Sequence, residues 1–175
     1  DLSKWKICTV GAGTDSYVGV NMSSMFYGAN AFTGTSIERW RVDNVVNMDS
    51  MFMHATAFNA NLSRWNVSRV VTFHSMFRNT ESFEGNGLDV WDTSRARNMS
   101  DMFVDAMRFN ADLGEWDVGE VRNMSRMFRN ALEFEGRGLQ HWDVSSVRIK
   151  YDMFENAENM SFDTVPWARQ FEEDL

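Results

Sequence analysis

Apolar positions along this chain follow two alternating patterns. The first runs from Asn47 to Ala55 and places Met48, Met51, Phe52 and Ala55 at i, i+3, i+4 and i+7, the spacing of one helix face. The second is Leu62-x-x-Trp65-x-Val67 followed by Val70. It returns as Leu88, Trp91, Thr93, as Leu113, Trp116, Val118, and as Leu139, Trp142, Val144. Trp and the residue two later share one side, as in a short half-buried strand. The first pattern predicts a helix of about two turns, too short to persist in water without neighbours. Asn47 stands where an N-cap belongs, as do Asn21, Asn98 and Asn123.

The two patterns return together at a fixed period. Trp stands at 5, 40, 65, 91, 116, 142 and 167, so after a first interval of 35 the spacing alternates between 25 and 26. Met-Phe pairs at 25–26, 51–52, 76–77, 102–103, 127–128 and 153–154 keep step, each 11 residues after its Trp from Trp40 onward. The one-residue difference lies between Phe and Trp: FNANLSRW and FNADLGEW against FEGNGLDVW and FEGRGLQHW.

Leu-x-x-Trp-x-Val has the spacing of leucine-rich repeats, with Trp in the second apolar slot. The expected fold is an α/β repeat protein. It would be a right-handed leucine-rich-repeat-like solenoid, with short parallel strands on one face and short helices on the other. A single solenoid domain over residues 1–175 would hold about six repeats, with an inserted loop at 6–20 in the first. The divergent stretch 161–175 is expected to be a cap or edge, since Pro166 removes a ladder donor. The opening DLSKWKI begins partway through a repeat, which points to a piece of a longer chain. An uncapped end predicts end-on packing against another protein or another copy.

Composition follows from the repeat. The 13 Met, 14 Phe and 7 Trp are read as core columns rather than as a cofactor box or as exposed stacking platforms. Cys8 is the one cysteine, which excludes an internal disulfide and a cysteine zinc site. No apolar run approaches the roughly 20 residues of a membrane span. The net charge of −8 is uneven: residues 1–87 hold 7 basic and 7 acidic side chains, residues 88–175 hold 10 and 18. An acidic surface argues against nucleic acid or anionic lipid as partner. Arg outnumbers Lys 14 to 3, which suits planar contacts with carboxylates.

The run WDVGEVRNMSRMFRNALEFEG at 116–136 resembles the repeats of BspA-like, DUF285-type surface proteins. The resemblance covers almost the whole chain, and the FEGxGL variant is similar to copies in marine algae. Phe73 and Lys150 depart from it by replacing the first Met, and Thr80 by replacing the small Ala. It implies an extracellular or cell-surface role in adhesion or protein contact. It brings no shared catalytic motif, so no catalytic residue is carried over.

Candidate contacts lie beside each Trp. Arg39, Arg41, Arg64, Asn66, Asp92, Glu115, Asp117, His141 and Asp143 form a column running from basic to acidic. Stacked carboxylates there need an offset. Hydrogen bonding to Ser or backbone at the turn is the plainest one, a protein partner the second. Bound calcium is the third, although no EF-hand or GGxGxD spacing is present. Thr14, Asp15 and Tyr17 mark a candidate contact loop. His54, His74 and His141 fall in three different repeat columns and suggest no triad or metal site. The six Asn-x-Ser sequons, at Asn21, Asn61, Asn66, Asn98, Asn123 and Asn159, are inflated by duplication, and capping accounts for most of them.

The expected function is therefore non-catalytic: a protein-binding scaffold without cofactor, on the cell surface if the resemblance holds. The alternative is an accessory subunit of a large intracellular or organellar assembly, a photosynthetic one included. An enzyme on the same scaffold would need acids converging in a cleft.

Overall fold

A computed structural model describes Leu2 and residues 19–171. Thr14, Asp15 and Tyr17, most of the loop expected at 6–20, and the end of the 161–175 stretch lie outside the described residues.

Successive repeats pair in parallel along one column. Strands β1 (Val20–Asn21) and β2 (Val45–Asn47) are hydrogen-bonded in parallel. Single parallel bridges continue the column through Thr72, Asn98, Asn123 and Ile149. The N–H of Val71 donates to Val46, that of Arg97 to Val71, that of Arg122 to Arg97 and that of Arg148 to Arg122, at 2.8 to 2.9 Å. Each step equals one repeat, so each repeat lies directly against the next.

This ladder falls later in the repeat than the strand expected at Trp. The Trp65 N–H donates to Leu62 O and the Val70 N–H to Val67 O, so two tight turns occupy that stretch. An N–H bonded three residues back cannot also pair with a neighbouring strand, and the ladder begins only after the second valine.

The expected helix is absent as well, and no α-helix forms among the described residues. Over 48–55 the N–H groups alternate. Those of Met48, Ser50, Phe52 and His54 donate to Thr72, His74, Met76 and Arg78 of the next repeat, while those of Met51, Met53 and Ala55 donate three residues back. Ser50 and His54 take left-handed φ values of 55° and 63°, as the third residue of a type II turn must. The same two positions are left-handed at Ser75 and Asn79, Asp101 and Asp105, Arg126 and Asn130, and Asp152 and Asn156. A two-turn helix would leave most of its backbone groups unpaired at its ends. Consecutive turns instead send every second N–H to the adjacent repeat. The inward set survives this change of backbone: Met48, Met51, Phe52 and Ala55 are all buried. The Asn47 side chain does accept the Asp49 N–H at 2.8 Å, but it caps a turn.

Rings stack in columns through the core. Phe26, Phe52, Phe77, Phe103, Phe128 and Phe154 stand 5.5 to 5.7 Å apart and within 10° of parallel. Trp91, Trp116 and Trp142 stack at 6.3 Å and 5°. The 26-residue repeats place their extra residue in a glycine-rich linker. Gly87 has φ 83°, and a Cβ there would collide with the Ser63 backbone of the preceding repeat; Gly138 does the same against Gly114.

Candidate interaction surface

From Trp65 onward each Trp is fixed by one bond that a Phe could not make. The indole N–H of Trp65 donates to Ile37 O, of Trp91 to Leu62 O, of Trp116 to Leu88 O, of Trp142 to Leu113 O and of Trp167 to Leu139 O, at 2.7 to 3.2 Å. The same carbonyls accept the backbone N–H of their own repeat's Trp, so both lone pairs are used. Trp40, Trp65, Trp91, Trp116 and Trp142 are buried, which makes this column core.

Burial of the ring drives its two sequence neighbours outward. Arg39, Arg41, Arg64, Asn66, Asp92, Glu115, Asp117, His141 and Asp143 are all exposed, as expected, but on turns rather than on a sheet. Five of them bond within their own turn. Asp92 Oδ1 accepts the N–H and hydroxyl of Ser94, Asp117 Oδ1 the N–H of Gly119, and Asp143 Oδ1 the N–H of Ser145. Asn66 accepts both groups of Ser68 in the same way, and Arg41 pairs with Asp43 at 3.0 Å. The bonds from Ser145 hold the Asp143 carboxyl below its ordinary pKa. Asp92, Asp117 and Asp143 thus each have the turn hydrogen bond expected of them. Among the described residues no group of three His, Cys, Asp or Glu comes together as a metal site.

The histidines stay apart in three settings. His54 meets the Tyr27 ring edge-on, His141 lies beside Gln140, and His74 Nδ1 lies 2.8 Å from Ser100 Oγ. The sequon residues Asn21, Asn98 and Asn123 each accept the N–H two residues on, which explains the Asn without a glycan.

A cluster that the sequence did not reveal centres on Asp101. This carboxylate is 2% exposed, with Arg126 Nε and Nη2 at 2.8 and 3.1 Å and Arg78 Nη1 at 3.3 Å. Hydrogen bonding to Asp101 raises the Arg126 pKa above its ordinary value. Beside it Asn79 and Asn130 donate to the two oxygens of Asp105, and Asn156 donates to Asn130. Arg78, Asp101, Asp105, Arg126, Arg129 and Asn130 line most of a polar recess of about 510 Å³. One sequence signal was present: Asp101 and Arg126 occupy a position where earlier repeats have Ser24, Ser50 and Ser75.

With this geometry in view, the family model described as "Mycoplasma protein of unknown function, DUF285" matches residues 1–88 and 82–173. The chain belongs to this family. The two matches together span nearly every residue, in line with the resemblance in the repeat motif. No curated protein matches the chain. In this DUF285 chain no helix among the described residues is long and apolar enough to cross a membrane.

Proposed function

We propose that the chain is a non-catalytic protein-binding scaffold, a leucine-rich-repeat-like solenoid acting in cell-surface adhesion or recognition. The observation that carries this reading is the regular presentation of exposed polar side chains beside a fixed column of buried tryptophans. From Trp65 onward each indole is pinned to the preceding repeat, and Trp91, Trp116 and Trp142 stand 6.3 Å apart, so the flanking residues hold a set spacing from repeat to repeat. A pre-ordered array loses little entropy on binding, which favours recognition of an extended partner.

The test is cross-linking mass spectrometry on the protein isolated gently from its source, with a reagent directed at carboxylates. A partner joined through Glu115, Asp117 or Asp143 is the expected result. A stoichiometric partner inside a large organellar complex would move the scaffold to the accessory-subunit role. Cross-links that bypass the Trp-flanking column would overturn its assignment as the contact face.

A further inference from the structure

The parallel ladder itself carries a second column that faces outward. Val46, Val71, Arg97, Arg122 and Arg148 are bonded backbone to backbone in that order, one per repeat. Arg97, Arg122 and Arg148 are exposed, as are Val71 and the neighbouring Arg95. Among the described residues, Glu120 is the carboxylate paired with this group, to Arg97 at 3.1 Å. The acidic side chains across the adjacent turn do not neutralise it. Asp92, Asp117 and Asp143 direct an oxygen to Ser94, Gly119 and Ser145 and form no ion pair with these arginines among the described residues. A chain of net charge −8 therefore holds like charges on three consecutive levels of a rigid ladder.

We propose that this column binds an extended acidic segment of a partner protein, laid along the direction in which the repeats stack. Guanidinium groups offer carboxylates a planar, two-pronged contact, and their repulsion for one another is relieved when the acids arrive. Five levels at about 4.8 Å span about 19 Å, the length of roughly six extended residues at about 3.3 Å each. Val46 and Val71 at one end give the segment a direction, with apolar residues over the valines and acidic residues over the arginines. A long polyanion such as nucleic acid would also meet the chain's excess of carboxylates, whereas a short segment meets the column alone. The assignment rests on the protein-binding reading above but uses a different set of residues from the Trp-flanking column.

The test is fluorescence anisotropy at low ionic strength with a labelled peptide of two valines followed by four glutamates. The combined variant R97Q/R122Q/R148Q is expected to weaken binding about tenfold or more. R108Q/R137Q/R169Q, which removes the same charge from exposed arginines outside both columns, is expected to bind as the parent does. If the first combination disturbs the circular dichroism spectrum, the single charge reversal R122E is read in its place and should weaken binding in the same direction. Failure of the parent protein to bind, or equal loss in both variants, overturns the proposal. Loss confined to R108Q/R137Q/R169Q overturns it while leaving the scaffold reading intact. Tighter binding of an oligothymidylate of equal charge through the same arginines would make a phosphate backbone the occupant and also overturn it. So would dimerisation of the free protein abolished by R97Q/R122Q/R148Q, which would assign the column to a second copy.

Discussion

Exchanging the Asp101–Arg126 pair for the serine found at the same position in other repeats tests how tightly the stacked turns couple their side chains. Asp101 is 2% exposed and Arg126 32%, so the carboxylate carries the desolvation while the guanidinium keeps access to water. Removing one member of a fully buried pair costs about 3–5 kcal/mol. R126S leaves Asp101 with Arg78 at 3.3 Å, which lowers the expected loss to about 2 kcal/mol. D101S strands no buried charge, because Arg78 and Arg126 are both about a third exposed and can turn to solvent, and should cost about 1 kcal/mol. The double variant restores the pattern of Ser24, Ser50 and Ser75 and should also lose only about 1 kcal/mol, although Arg126 gives up its place over the Tyr151 ring. The coupling energy is then about 2 kcal/mol. Urea denaturation followed by tryptophan fluorescence measures all four proteins, with an unchanged m-value as the check on cooperativity. Losses that simply add, to within about 0.5 kcal/mol, would refute the claim that the two side chains act as a unit.

Two further outcomes follow from the Trp turns. Trp116→Phe removes the 2.7 Å bond to Leu88 O and part of a buried ring. Leu88 O keeps the Trp91 N–H, so the loss should be about 2 kcal/mol and not the full cost of a stranded carbonyl; a urea midpoint indistinguishable from the parent would contradict it. Asp143 has a folded pKa held below its ordinary 3.8 by Ser145, so its contribution to stability is present above that value and lost as pH falls through the folded pKa. NMR titration should find the Asp143 carboxyl acidified and, in Ser145→Ala, moved back toward the ordinary value; an unmoved titration would remove the serine as the cause.

The sequence by itself determined which residues are inside and how the chain divides. Met48, Met51, Phe52 and Ala55, with Leu62, Trp65, Val67 and Val70, are buried as their spacing requires, because exclusion of apolar surface from water depends on side-chain periodicity and tolerates more than one backbone. The exposure of the Trp-flanking column follows from the same alternation, and the turn bonds of Asp92 and Asp143 were readable from the serine two residues later. Backbone conformation was decided only when the repeats met. The spacing i, i+3, i+4, i+7 fits a helix, yet a stack of repeats offers alternate N–H groups an acceptor in the next repeat, and left-handed turns at Ser50 and His54 use it. The position of the parallel ladder was decided in the same way, since Trp is held by its turn and its indole bond to Ile or Leu. Asp101 stands 23 residues from Arg78 and 25 from Arg126, and the arginines of the ladder column stand one repeat apart. Contact between residues so distant in sequence depends on the register of the stack, and that register exists only in the tertiary structure.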